Sequence, residues 1–82
     1  MSEKRRTVEM CIKNYLKNEY GIEKKVKEEE FLVKTLGIDS LGILKLAIKV
    51  EEELGIVVPD EELVKIGSFN YGELLDFFAT RY

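Results

Sequence analysis

The sequence contains no histidine, a single cysteine, a single proline and no apolar run long enough to cross a bilayer. Without histidine, Ser-His and Cys-His activation of a nucleophile is excluded, and the commonest metal ligand is missing. Cys11 has no second cysteine with which to form an intrachain disulfide or a thiolate metal site. Its spacing from Val8, Ile12 and Tyr15 places it on an apolar helical stripe, where free cysteines behave as small hydrophobes. The longest uncharged apolar runs, Leu41 to Leu44 and Ile56 to Val58, fall far short of a membrane span. Nor does Met1-Ser2-Glu3-Lys4-Arg5-Arg6 lead into the apolar stretch of a signal peptide, so a cytoplasmic setting is expected.

What is present describes a soluble globule. The 82 residues, 45% hydrophobic and 35% charged, suit one domain spanning 1–82, near the size at which a single apolar core barely outweighs chain entropy. Sixteen acidic against thirteen basic residues leave a net charge of −3, too small a surplus to name a partner. The only basic cluster is Lys4-Arg5-Arg6, thinly echoed at Lys24, Lys25 and Lys27, which argues against nucleic acid. A monomer with no membrane association is the expectation.

Helical periods and stop signals divide the chain. Val8, Cys11, Ile12, Tyr15 and Leu16 predict a first helix from near Glu3 to Tyr20, ended by Gly21. From Ile22 to Ile38 no clean period exists, so a long connection is predicted, ordered by Phe31, Leu32, Val33 and Leu36 and compatible with a short helix within 28–34. A second helix should start at Asp39 or Ser40, either of which can cap it, and close at Gly55, with Leu44, Ala47, Ile48, Glu51 and Leu54 on one face. Pro59 before Asp60-Glu61-Glu62 starts a short third helix carrying Leu63, Val64 and Ile66 inward. Asn70 with Glu73 reads as a capping box opening a last helix through Leu74, Leu75, Phe77 and Phe78. The predicted fold is all-α: a four-helix bundle of three longer helices and a short third one, with a long loop between the first and second.

Two charge clusters oppose their helix dipoles: Lys4-Arg5-Arg6 at a positive end and Glu51-Glu52-Glu53 at a negative end. If these helices run antiparallel, the clusters become neighbours and neutralise each other. Otherwise one or both meet a partner surface.

The chemistry concentrates at Gly37-Ile38-Asp39-Ser40-Leu41, where a small loop delivers a serine to the first turn of a helix. Around it, Leu32, Leu36 and Gly37 form a Leu-x-x-x-Leu-Gly lead-in, Glu51-Glu52-Glu53-Leu54-Gly55-Ile56 an acidic helix end, and Val58-Pro59-Asp60 the start of the next helix. This ordered set, with Asp39-Ser40-Leu41 at its centre, resembles the acyl and peptidyl carrier proteins from Leu32 to Phe78, without a gap as far as Ile66.

The resemblance implies an acyl-carrier-type bundle that is not an enzyme. Phosphopantetheine from coenzyme A would be attached covalently to Ser40 by a phosphopantetheinyl transferase, with Asp39 and Leu41 completing the cofactor-binding motif and Asp39 serving as helix cap, as the transferase's contact, or as both. Acyl or aminoacyl thioesters would then pass from a loading enzyme to ketosynthase or condensation-type enzymes. A cargo chain folding back would enter a slot lined by Leu44, Ala47, Ile48, Leu54, Val58, Leu63 and Ile66.

Departures from the family pattern bear on pathway. Gly42 and Lys45 stand where fatty-acid carriers commonly have acidic residues, and Lys49 adds a positive charge, although Glu53 four residues on can pair with it. With Glu51 and Glu52, these residues form the expected partner-recognition surface. They imply a dedicated partner set in a fatty-acid-like, polyketide or nonribosomal peptide pathway. Predicted helices close to both ends fit a free-standing carrier. The competing reading is a helical interaction module that keeps the scaffold without the arm, which intact Asp39-Ser40-Leu41 disfavours. A small enzyme would need paired carboxylates around an evident cleft or metal-ligand spacing, and neither is evident.

Overall fold

Ser2 opens the first helix by accepting a hydrogen bond from the Arg5 amide at 3.1 Å. This helix, α1 (Glu3–Tyr20), ends at Gly21 and buries Val8, Cys11, Ile12, Tyr15 and Leu16, the stripe that its period predicts. The computed structural model describes residues 2–82, and helices α2 (Leu32–Leu36), α3 (Ser40–Leu54), α4 (Asp60–Ile66) and α5 (Tyr71–Arg81) complete the bundle. Among the described residues there is no strand, only an isolated antiparallel bridge between Phe31 and Asn70. No described helix is long and apolar enough to cross a membrane.

One element exceeds the predicted four. The connection between the first two long helices contains α2, placed a little beyond the 28–34 window, because Leu32 is the residue that turns into the core. The rest of this connection is pinned from both sides. Val26 is buried, and the carbonyls of Glu30 and Glu28 accept the amides of Tyr71 at 2.7 Å and Gly72 at 2.9 Å. Those amides begin α5 and have no partner within their own helix, so the loop and the helix satisfy each other. Asn70 and Glu73 form the predicted capping box, at 2.8 and 2.9 Å.

α1 packs against both α3 and α5, and α4 lies on α3. The centre is filled by Val8, Ile12 and Leu16 of α1, Leu46 and Val50 of α3, and Tyr71, Leu74, Leu75 and Phe78 of α5. The inward face of α3 differs from the predicted one. Ile43, Leu46, Ala47 and Val50 are buried, whereas Leu44 and Ile48 are 41% and 43% exposed. The helix is apolar on most of its circumference, so period alone admits two rotations; packing against α1 selects one. Val64, predicted to point inward, is 80% exposed.

The opposed charge clusters are also resolved differently. Arg5 bonds Glu28 at 2.7 Å and Asp76 at 2.8 Å, tying α1 to the loop and to α5, and these carboxylates hold its charged form still more firmly. Among the described residues, no ion pair joins Lys4, Arg5 or Arg6 to Glu51, Glu52 or Glu53. Instead Glu51 accepts the Val58 amide, Glu53 pairs with Lys49 and accepts the Cys11 thiol of α1, and Glu52 stays in solvent.

Candidate functional site

Asp39 and Ser40 are both able to cap a helix, and the structure assigns that task to Asp39. Its carboxylate accepts the Gly42 amide at 2.8 Å, and its carbonyl accepts the Ile43 amide at 3.0 Å. Ser40 thereby becomes the first residue of α3: it is exposed, and no other described residue engages its hydroxyl in a hydrogen bond. The turn is held from below by Ile38, which is fully buried, and approached through Gly37 at φ 71°. Leu41, next to the serine, is 56% exposed, an apolar side chain presented to solvent in the first turn of α3.

A groove of about 330 Å³ opens beside Ser40 between α3 and α4, lined by Ile43, Leu44, Ala47, Leu63, Val64 and Gly67. Of the seven residues expected to form a slot, it brings together Leu44, Ala47 and Leu63. Val58 and Ile66 are core residues, Leu54 is packed half-buried against that core, and Ile48 faces a different hollow. That second hollow lies between α1 and α3, among Asn14, Tyr15, Lys45, Lys49 and Glu52. The groove residues missed in the sequence, Ile43, Val64 and Gly67, follow from the rotation of α3 and from the outward turn of α4, neither of which has a local signal.

The residues expected to recognise partners also separate. Lys45 and Glu52 are exposed, and Lys49 pairs with Glu53 at 3.3 Å. Glu51 is half-buried and accepts the Val58 amide at 3.0 Å, which fixes the turn into α4. Gly42 is buried and presents no surface: a Cβ there would overlap the Tyr20 hydroxyl and lie 2.7 Å from Ile38. A glycine inside a helix costs about 0.5–1 kcal/mol against alanine, and here it permits the close approach of Tyr20 and Ile38.

Cys11 is buried as expected, and its thiol donates to Glu53 at 3.2 Å. Burial, followed by this carboxylate, pushes its pKa up to about 12, so it remains a neutral packing residue; the same bond, with Lys49, lowers Glu53. Among the described residues no group of acidic, cysteine or histidine side chains could hold a metal ion.

The site thus consists of an exposed, unengaged serine at the start of α3 beside an apolar groove. The family model for the phosphopantetheine attachment site matches residues 12–76. The chain is 40% identical to an acyl carrier protein of Wolinella succinogenes over 55 residues, covering 67% of this chain and 70% of that protein. It is 44% identical over 46 residues to an acyl carrier protein homolog of Ureaplasma parvum, covering 56% of this chain and 57% of that protein. The chain belongs to the phosphopantetheine attachment family, as an acyl carrier type whose work is transport and not catalysis.

The prosthetic group of this family is phosphopantetheine, and the turn fits it chemically. The amides of Ser40 and Leu41 begin a 15-residue helix, a setting that favours a phosphodiester through free N–H groups and the helix dipole. The way out of Ser40 is open to solvent on one side and to the groove on the other.

Proposed function

We propose that Ser40 is the attachment residue and that residues 1–82 act as one carrier unit. The observation that carries this reading is the division of labour in the turn: Asp39 caps α3, leaving the Ser40 hydroxyl exposed and unspent. When bound, the arm supplies the thiol on which an acyl or aminoacyl group rides as a thioester. Ser40 needs no activating base of its own because a phosphopantetheinyl transferase brings the base and metal, so the absence of histidine is no obstacle. Asp39 holds the turn for that enzyme, and exposed Leu41 offers it an apolar contact.

Ile43, Leu44, Ala47, Leu63 and Val64 give the groove an aliphatic lining that fits an apolar acyl chain better than an aminoacyl group. The exposed face beyond the serine carries Leu41, Leu44 and Lys45, with Lys49 compensated by Glu53. Lys45 is the uncompensated charge nearest the tether on α3, and it favours a loading enzyme and a ketosynthase or condensation-type enzyme whose docking rims are not basic. A dedicated fatty-acid-like or polyketide pathway suits that combination.

Incubation with coenzyme A and a promiscuous transferase, followed by intact mass measurement, tests the attachment. The wild type should gain one phosphopantetheine and Ser40→Ala none. No gain on the wild type would sink the Ser40 reading and leave an unmodified interaction module in its place, whereas an equal gain on the variant would sink it by moving the arm to another residue.

A further inference from the structure

We infer that Tyr15 and Tyr20, from the last two turns of α1, are positioning residues that hold the turn bearing Ser40. This inference rests on Ser40 being the attachment residue. Gly42, two positions along, is held on three sides. Its amide donates to Asp39 at 2.8 Å, its carbonyl accepts the Tyr15 hydroxyl at 3.3 Å, and the Tyr20 hydroxyl occupies the space where a side chain would begin. The two rings meet edge-on, with centroids 6.1 Å apart, so each tyrosine braces the other.

Tyr15 is buried and Tyr20 is 41% exposed, so the clasp reaches from the core to the surface behind the serine. A hydroxyl bond to a carbonyl in the first turn opposes the fraying to which helix ends are prone. A transferase that meets a frayed turn must first order it, which lowers the fraction of encounters that succeed. The glycine and the tyrosines thus form one device: Gly42 gives the room, and α1 fills it.

The test compares Tyr15→Phe, which removes only the bond, and Tyr20→Ala, which removes the cover, with Tyr71→Phe. Tyr71 also uses its hydroxyl, on Glu9 at 3.2 Å, but lies far from the serine turn, since Glu9 precedes Tyr20 by about 16 Å along α1. Arm attachment is timed by intact mass across transferase substrate concentrations under conditions where every variant is folded. Amide hydrogen exchange is followed at Gly42 and Ile43, with Leu75 and Phe78 as references.

Tyr15→Phe should reduce kcat/KM for attachment about 2- to 10-fold, the range set by one hydrogen bond, Tyr20→Ala should lower it in the same direction, and both should speed exchange at Gly42 and Ile43 but not in α5. Tyr71→Phe should attach at the wild-type rate. Wild-type attachment rates in both clasp variants, or equal slowing in Tyr71→Phe, would overturn the inference. If the wild type itself takes no arm, it is the Ser40 reading that fails; exchange at Gly42 and Ile43 then decides alone whether the tyrosines hold the turn.

Discussion

Ser40 and Asp39 show how little of a site one residue type reveals. Both are good caps, and nothing local says which will do the capping; the geometry gives the bond to Asp39. Gly42 was equally opaque, because its reason lies in Tyr20, which arrives from another helix. Cys11 was legible from its stripe, since burial of a small apolar side chain is what helical spacing reports.

The thiol of Cys11 also carries a pH dependence whose sign is fixed. In the unfolded chain it ionises near the ordinary 9.0, whereas burial and Glu53 push it to about 12 in the fold. Above pH 9 the native state therefore binds more protons than the unfolded one, and stability falls as pH rises. Between about pH 8 and about pH 10, the urea midpoint should drop in the wild type and drop less in Cys11→Ala. An equal drop in both would remove Cys11 as the cause. Tyr15, raised to about 12, adds to the same trend only at higher pH.

At the scale of elements, the long helices α1 and α5 were legible because period and punctuation agree, whereas short α4 was legible only in its start and stop signals. α5 is the clearest instance: its capping box is written in Asn70 and Glu73 and realised in two hydrogen bonds. Asn70→Ala should cost about 1 kcal/mol in urea unfolding, with the loop of Glu28 and Glu30 loosening alongside because its carbonyls bond the same helix start. Unchanged stability would mean that the loop alone holds that end. α2 was less legible, since five residues make little more than one turn and show no period. The facing of α3 was hidden for the opposite reason, an excess of apolar residues around the helix. That excess is informative in retrospect: the side chains left over, Leu41, Leu44 and Ile48, are the exposed ones.

Across the whole molecule, charge divides along the length of α3 and into the start of α4. Lys45 stands near the serine end, while Glu52, Asp60 and Glu61 stand at the far end, with Lys45 and Glu52 separated by about 10 Å along the helix. A partner with one uniformly basic rim matches only the far half. Lys45→Glu should therefore improve coupling to a fatty-acid synthase ketosynthase, most visibly at low salt, where such attraction is least screened. Unchanged coupling would leave the dedicated-partner reading without support. The Asp39 cap has a consequence at this scale as well. Because α3 is secured by the residue before the serine, losing Ser40 leaves the fold, the groove and the docking face in place. On the proposed role of Ser40, a chain with alanine there would be a well-formed decoy: it would occupy the partners of working carriers while delivering nothing, so the lesion would be felt as competition and not as absence.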